Sequence, residues 1–144
     1  MIAIGTDHRG YKMKEELKKF LSSENIGCKD FGTYSEDSVD YPDFAKSVAE
    51  SIQKNESEYG VLICGSGMGI CIPANKYKGI RAVNVLTENM AEMSRRHNDA
   101  NVICFGADFV DLETAKVCLK KFLSTPFDTD ERHLRRVNKI NSIL

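Results

Sequence analysis

Short apolar runs alternate with longer amphipathic stretches along the chain. Five runs have the length and apolar composition of buried strands, and they predict strands over 1–5, 27–31, 61–64, 80–85 and 102–105. Between them, apolar residues recur every three or four positions, which predicts helices over 11–21, 44–52, 68–75, 87–96, 112–123 and 131–144. Thr87 is placed to cap the fourth of these helices. The polar, turn-rich segment 32–40 is predicted to be a loop.

Strands separated by single helices form βαβ units, and such units build a parallel sheet. The strands are mostly apolar throughout, as expected when helices cover both sides of the sheet. The pattern therefore predicts an α/β fold, a three-layer α/β/α sandwich with a Rossmann-like five-stranded parallel sheet and an extra C-terminal helix. No repeat or linker interrupts it, so residues 1–144 are expected to form one domain. The last helix has no strand after it and is free to reach a partner or to cap a site.

Composition narrows the possible partners. The chain has 144 residues, of which 42% are apolar and 28% charged, as in an ordinary globular domain. Its 20 basic and 21 acidic residues give a net charge of −1, so neither nucleic acid nor a membrane surface is expected as a partner. No apolar run reaches about 18 residues, and the first strand begins without a basic leader. We therefore expect neither a membrane helix nor a signal peptide.

The five cysteines are an odd number without CxxC spacing. Cys28, Cys104 and Cys118 lie in apolar surroundings, where a buried free thiol is the simplest interpretation. Free thiols fit a reducing cytoplasm, which is the predicted location. No cluster of histidine, cysteine and carboxylate residues has the spacing of a metal site, so we expect neither a metal nor another cofactor.

The most informative segment is VLICGSGMGI, residues 61–70. A predicted strand ends there in Cys64, and glycine follows at every second position, at Gly65, Gly67 and Gly69. Glycines at the carboxyl end of a parallel strand let backbone N–H groups face an anion. The segment lacks residues that a dinucleotide fingerprint, a P-loop or a GxSxG nucleophile elbow requires. It therefore predicts an anion site that contains a thiol.

Three other polar groups are predicted near the same edge of the sheet. Asp7 and His8 follow the first strand, Tyr41 follows the loop after the second, and the fourth helix ends in Arg95-Arg96-His97-Asn98. Ligands of open parallel sheets bind beyond the carboxyl ends of the strands. We therefore expect these residues to converge with Cys64 on one pocket.

Several motifs, spread over nearly the whole chain, can be compared with a known family. They are Gly5-Thr6-Asp7-His8, Asp40-Tyr41-Pro42, Ile63 to Gly69, Ala74-Asn75-Lys76, Gly79-Ile80-Arg81-Ala82, Arg95 to Asn101, and Glu131-Arg132-His133 with Arg136-Val137. In this order they resemble ribose-5-phosphate isomerase type B, whose wider family includes galactose-6-phosphate isomerase subunits and an allose-6-phosphate isomerase. The resemblance implies interconversion of ribose 5-phosphate and ribulose 5-phosphate, in the pentose phosphate pathway, by proton transfer through an enediolate.

The resemblance also implies which residues carry the reaction. Cys64 would be the base that moves a proton between C1 and C2, since a thiolate is stabilised at a helix N-terminus. His97 would open the sugar ring, with Asn98 beside it. The enediolate would be bound by the loop that follows the cysteine, through Gly65, Ser66, Gly67, Met68 and Gly69.

The remaining contacts to the sugar phosphate follow from the same comparison. Asp7 and Tyr41 would contact hydroxyl groups. The phosphate would be held by His8 and by Arg132 and Arg136, which lie four residues apart on one helix face. The family assembles its site across a subunit interface. A homodimer or a dimer of dimers is therefore expected, with the last helix serving a neighbouring subunit.

Each of these roles has a purely structural alternative. Cys64 fits a core position, and Asp7 fits the cap of the first helix. His97 fits a cation at a helix C-terminus, and the arginine pair fits a solvated basic face. As a whole, the chain also fits an isomerase of a six-carbon sugar phosphate, or a flavodoxin-like module that binds phosphate ligands without catalysis.

Two positions depart from the family's pattern. Asp108 stands in a stretch where many members carry an arginine that contacts the phosphate, and a carboxylate cannot replace that cation. We therefore leave the choice between pentose and hexose phosphates open. Pro73 stands where alanine is common and is expected to reshape the short helix after the glycine loop.

Overall fold

The computed structural model describes all 144 residues and contains five strands and six α-helices. In chain order they are β1 (Ile2–Thr6), α1 (Tyr11–Ser23), β2 (Cys28–Asp30), α2 (Tyr41–Gln53), β3 (Tyr59–Cys64), α3 (Met68–Ala74), β4 (Ala82–Asn84), α4 (Glu88–Asn98), β5 (Val102–Gly106), α5 (Leu112–Ser124) and α6 (Glu131–Asn141). A 3-10 turn, His8–Gly10, connects β1 to α1. Each element predicted from the apolar pattern is therefore confirmed.

The five strands form one sheet in the order β2-β1-β3-β5-β4, and all neighbouring strands are parallel. Helices α1, α4 and α5 pack on one face, and α2 and α3 pack on the other. This confirms the predicted three-layer α/β/α sandwich with a Rossmann-like parallel sheet. The central strand β3 lies between β1 and β5, so the ends of these three strands are neighbours.

Side chains of β3 alternate between the two faces of the sheet, as the strand repeat requires. Val61 and Ile63 join the core beneath α1, α4 and α5, whereas Leu62 and Cys64 join the core beneath α2 and α3. Because both faces are covered, the strand shows a continuous apolar run rather than an alternating one. The Cys64 side chain consequently points to the side of the sheet on which the following loop and α3 lie.

Element boundaries differ from prediction mainly at the two edges of the sheet. The edge strands β2 and β4 have three residues each, shorter than predicted, and each pairs with a single neighbour. Thr87 does cap α4, since its Oγ1 accepts a hydrogen bond from the Met90 N–H at 3.2 Å. Pro73 lies inside α3, which ends one residue later at Ala74. None of the six α-helices combines the length and the apolarity needed to cross a bilayer.

A buried cation connects α1 to the end of β2. The Lys14 side chain is 0% exposed, and its Nζ lies 2.5 Å from Asp30 Oδ2, to which Lys18 also donates at 2.8 Å. Burial opposes ionisation of Asp30, but the hydrogen bonds from Lys14 and Lys18 outweigh it, so the pKa of this carboxyl is lowered. The contact therefore stabilises the fold only while Asp30 is ionised.

We expect Asp30→Asn to lower the free energy of unfolding at pH 7 by about 1–3 kcal/mol, because it leaves the buried Lys14 ammonium with Glu15, at 3.2 Å, as its one remaining carboxylate. The pKa of Asp30 is lower in the folded protein than in the unfolded chain. Its contribution is therefore complete above about pH 4 and is lost as the pH falls through the folded value. Urea unfolding between pH 7 and pH 3 measures both effects.

The matched control is Glu16→Gln, which removes one partner of the exposed Lys19–Glu16 pair. Exposed pairs contribute about 0–1 kcal/mol, so this variant should unfold almost like the parent. A loss of less than about 1 kcal/mol for Asp30→Asn at pH 7 would contradict the role given to the buried pair.

Candidate active site

Cys64 ends the central strand, and its sulfur faces the loop that follows. The side chain is buried, and Sγ accepts a hydrogen bond from the Gly67 N–H at 3.1 Å. Three residues thus form a tight turn that closes onto the sulfur. A thiolate at this position would already have a backbone donor in place.

Glycines allow the loop to lie directly on the end of β5. Gly67 has φ +78°, and a Cβ built there would lie 2.4 Å from Asn84 Oδ1 and 2.8 Å from the Gly106 N. A Cβ on Gly106 would lie 2.4 Å from the Ser66 carbonyl oxygen. Because both sides of the contact lack a side chain, the loop is held at a fixed height above the sheet. The N–H groups of Gly65 and Ser66 donate to no group of the chain, so they are available to a bound oxyanion.

Asn84, at the carboxyl end of β4, supports this loop from below. Its Nδ2 donates to the Ser66 carbonyl oxygen at 3.3 Å, and its Oδ1 is buried without a hydrogen-bond partner. Ser66 Oγ accepts from the Met68 N–H at 3.1 Å, which leaves the hydroxyl proton free for a ligand. The sequence does not indicate this role for Asn84, because the residue lies within a short predicted strand.

Asp7 and His8 lie at the end of the neighbouring strand β1. Asp7 Oδ1 accepts hydrogen bonds from the N–H groups of Arg9 at 3.0 Å and Gly10 at 3.3 Å, so this residue does act as a cap. It caps the 3-10 turn rather than α1. His8 Nδ1 accepts from the Val39 N–H at 3.2 Å, which assigns the proton of the neutral imidazole to Nε2. His8 Nε2–H is consequently a donor that a ligand can use.

These strand ends enclose an open pocket at the carboxyl edge of the sheet. It is lined by Asp7, Arg9, Tyr41, Cys64, Gly65, Ser66, Gly69 and Asp108, three of which are charged residues. The Tyr41 ring lies 3.1 Å from the position of a Cβ on Gly69, so it packs against the glycine loop. The structure thus brings together six of the residues that the sequence assigned to the site, and it adds Arg9 and Asp108.

The sequence predicts that His97 and Asn98 lie at this pocket. Within one chain that prediction is wrong, because both residues lie away from it. A helix that follows a parallel strand returns to the opposite edge of the sheet, so the end of α4 lies at the amino edge. There Asn101, just after α4, accepts a hydrogen bond from the Gly60 N–H near the start of β3. A five-residue strand spans about 17 Å, which separates His97 from Cys64 by roughly the height of the sheet.

The last helix lies beside the same amino edge. The His133 ring of α6 stacks on the His97 ring, with 4.5 Å between centroids. Arg132 and Arg136 are exposed on this helix, and Arg132 pairs with Asp130 at 3.2 Å. Within one chain they therefore lie apart from His8, and their contact with the phosphate through a neighbouring subunit stays a prediction. The candidate residues form two groups, which we call the cysteine half-site (the pocket lining) and the histidine half-site (His97, Asn98, Arg132, Arg136).

The cysteines outside the pocket are free thiols. Cys104 and Cys118 are buried, Cys28 is half-buried, and the chain has no disulfide. Burial raises the pKa of the Cys28 thiol to about 11, and it also raises the pKa values of the other two. Their interpretation as core thiols is confirmed for Cys104 and Cys118. No three histidine, cysteine or carboxylate side chains are grouped closely enough to hold a metal ion.

Comparison with known proteins covers almost the entire chain. A family model described as Ribose/Galactose Isomerase matches residues 2–140. Ribose-5-phosphate isomerase B of Escherichia coli (strain K12) is 42% identical over 142 residues, which are 99% of this chain and 95% of that protein.

Solved structures agree with this comparison. A crystal structure of a ribose 5-phosphate isomerase from Thermotoga maritima has a TM-score of 0.96 and 46% identity, covering 99% of this chain and 97% of that one. A structure of ribose-5-phosphate isomerase B from Clostridium thermocellum also has a TM-score of 0.96, with 45% identity and coverage of 99% and 95%. Because the family model and these relatives match it from end to end, the chain belongs to the ribose/galactose isomerase family.

Proposed function

We propose that the protein is an aldose–ketose isomerase that interconverts ribose 5-phosphate and ribulose 5-phosphate. The observation that carries the proposal is the position of Cys64, at the end of β3 in a pocket with charged residues and under a loop with unused N–H donors. A binding module would need the donors but not the thiol. Family membership, with relatives named for this reaction, supports the choice of substrate.

Ring opening is the first step. His97 takes the proton of the C1 hydroxyl and delivers a proton to the ring oxygen, which breaks the bond between C1 and the ring oxygen and leaves an aldehyde. Imidazole suits this exchange because one nitrogen accepts a proton while the other donates. Stacking on His133 fixes the plane of the His97 ring.

Proton transfer between carbons follows. The Cys64 thiolate removes the C2 proton, and the electron pair moves to the C1 oxygen to form the enediolate. The N–H groups of Gly65 and Ser66 and the Ser66 hydroxyl stabilise that oxygen, because they are fixed before the charge develops. Ser66 both accepts and donates, so it moves a proton from O2 to O1. The Cys64 thiol then returns its proton to C1, which gives the ketose.

The two half-sites act together only if they come from different chains. A twofold axis that brings the histidine half-site of one chain onto the cysteine half-site of a second chain forms two equal sites at once. We therefore propose a homodimer, or a dimer of such dimers, as the active form. In it Arg132 and Arg136 complete the phosphate contacts of the partner's His8.

We expect the purified protein to isomerise ribose 5-phosphate faster than allose 6-phosphate or galactose 6-phosphate in a coupled assay, and EDTA to leave the rate unchanged.

Cys64→Ala should lower kcat by about 10²–10⁴-fold with the fold intact, because it removes the base. Exchange of the C2 proton with D2O, followed by NMR, should be lost with it. The control is Cys28→Ala, a half-buried thiol on β2 outside the pocket.

Near-normal turnover by Cys64→Ala would remove this residue from the mechanism. If no sugar phosphate were converted but phosphate ligands still bound, a binding module would replace the isomerase. Faster turnover of a six-carbon substrate would keep the mechanism and change the substrate.

Mixing two inactive variants tests the assembly across chains. Cys64→Ala and His97→Ala, refolded together in equal amounts, should recover about a quarter of the parent activity, because half of the dimers are mixed and each has one intact site. The matched control replaces His97→Ala with a Cys64→Ala/His97→Ala double variant, which leaves no site intact. A first mixture as inactive as this control would contradict a site shared between chains.

A further inference from the structure

Arg9 lies across the entrance of the cysteine half-site. The residue belongs to the turn between β1 and α1, and its Nη2 donates to Asp108 Oδ2 at 2.5 Å, in the loop after β5. A Cβ on Gly65 would lie 2.8 Å from Arg9 Nε and 3.1 Å from Asp108 Oδ2. The ion pair therefore rests on the first glycine of the loop that follows Cys64.

Most of the hydrogen-bonding capacity of Arg9 is unused. A guanidinium has five N–H donors, and the hydrogen bond to Asp108 is the side chain's sole contact of this kind. The side chains of Arg9 and Asp108 are 56% and 49% exposed, so the free donors face solvent over the pocket. The geometry leaves Nε and Nη1 open to a second anion.

The charge of the pocket also requires a cation. Its lining includes the carboxylates of Asp7 and Asp108, and Arg9 carries its one full positive charge. A sugar phosphate brings further negative charge. Within one chain, Arg9 is the cation in the pocket lining that can offset this charge. His8 precedes Arg9 in the same turn and offers Nε2–H as a neighbouring donor.

We propose that Arg9 binds the phosphate group of the substrate and that Asp108 is the positioning residue that holds the guanidinium over the pocket; this proposal rests on the proposed function. Arginine suits the task because its planar donors match phosphate oxygens. Asp108 lies in the stretch where the resemblance to the family leads one to expect an arginine. Since Arg9 Nη2 reaches Asp108, the charge at this point of the pocket comes from residue 9 instead.

Asp108 also keeps the charge of Arg9 constant. The hydrogen bond and the negative charge of Asp108 raise the pKa of the guanidinium, and the Asp7 carboxylate acts in the same direction. Arg9 is therefore a fixed cation across the working pH range. Any pH dependence of substrate binding should come from other groups.

The test compares Arg9→Gln with an Arg9→Gln/Asp108→Arg double variant. We expect Arg9→Gln to weaken binding of inorganic phosphate, measured by calorimetry, by about tenfold or more and to raise KM for ribose 5-phosphate similarly, because a charged bidentate contact is lost. Values of kcat should change less than KM. The double variant restores a guanidinium at the same point from the opposite side, so both constants should recover most of the loss.

Lys12→Gln is the matched control, since Lys12 is an exposed cation on α1 that pairs with Glu36 at 3.5 Å. It should change both constants by less than about twofold, because exposed charges at a distance are screened. Thermal melts of all variants verify that each is folded.

Three results would overturn the proposal. The first is phosphate affinity of Arg9→Gln within twofold of the parent protein, and the second is a parent protein that binds no phosphate. The third is a double variant that binds no better than Arg9→Gln, because then the pair serves only as a structural contact between the turn and the loop after β5. Phosphate binding is measured without a sugar, so a failure of the proposed isomerase activity is recorded separately.

Discussion

The direction of the chain in a parallel sheet determines where every candidate residue lies. Each strand runs towards the same edge, and each helix returns to the opposite one, so strand ends and helix ends are separated by the height of the sheet. Cys64 ends a strand and lies at the carboxyl edge, whereas His97 ends a helix and lies at the amino edge. This separation divides the candidate site into two halves, and it is the reason that we assign the complete site to two chains.

Close backbone contact then gives the cysteine half-site its shape. Gly67 and Gly106 allow the loop after Cys64 to lie on the end of β5 at distances that no side chain would tolerate. Asn84 fixes the loop from below, and the Gly67 N–H is directed at the sulfur. Donors held in this way need no rearrangement when charge develops, which is the main electrostatic requirement of enediolate chemistry. Arg9 adds a cation at the entrance, held there by Asp108.

The sequence predicts the fold well because the spacing of apolar residues and the lengths of the apolar runs are local properties. Along this chain both indicate the same helices and strands. It predicts the pocket around Cys64 for the same reason, since Asp7 and the glycine loop follow strands directly. His97 does not reach this pocket within one chain, because the end of a helix lies at the opposite edge of the sheet from the ends of the strands. Arg9 and Lys14 were missed because charged residues in a turn and a helix suggest solvent, and only the tertiary contacts with Asp108 and Asp30 reveal their partners.

A crystal structure of the Cys64→Ala variant with ribose 5-phosphate bound tests the shared site most directly. The account predicts that C1 and C2 of each sugar lie over residue 64 of one chain and within hydrogen-bond distance of His97 from a second chain. It also predicts that Arg132 and Arg136 of that second chain approach the phosphate. A sugar bound at residue 64 with no residue of a second chain in contact would contradict the account.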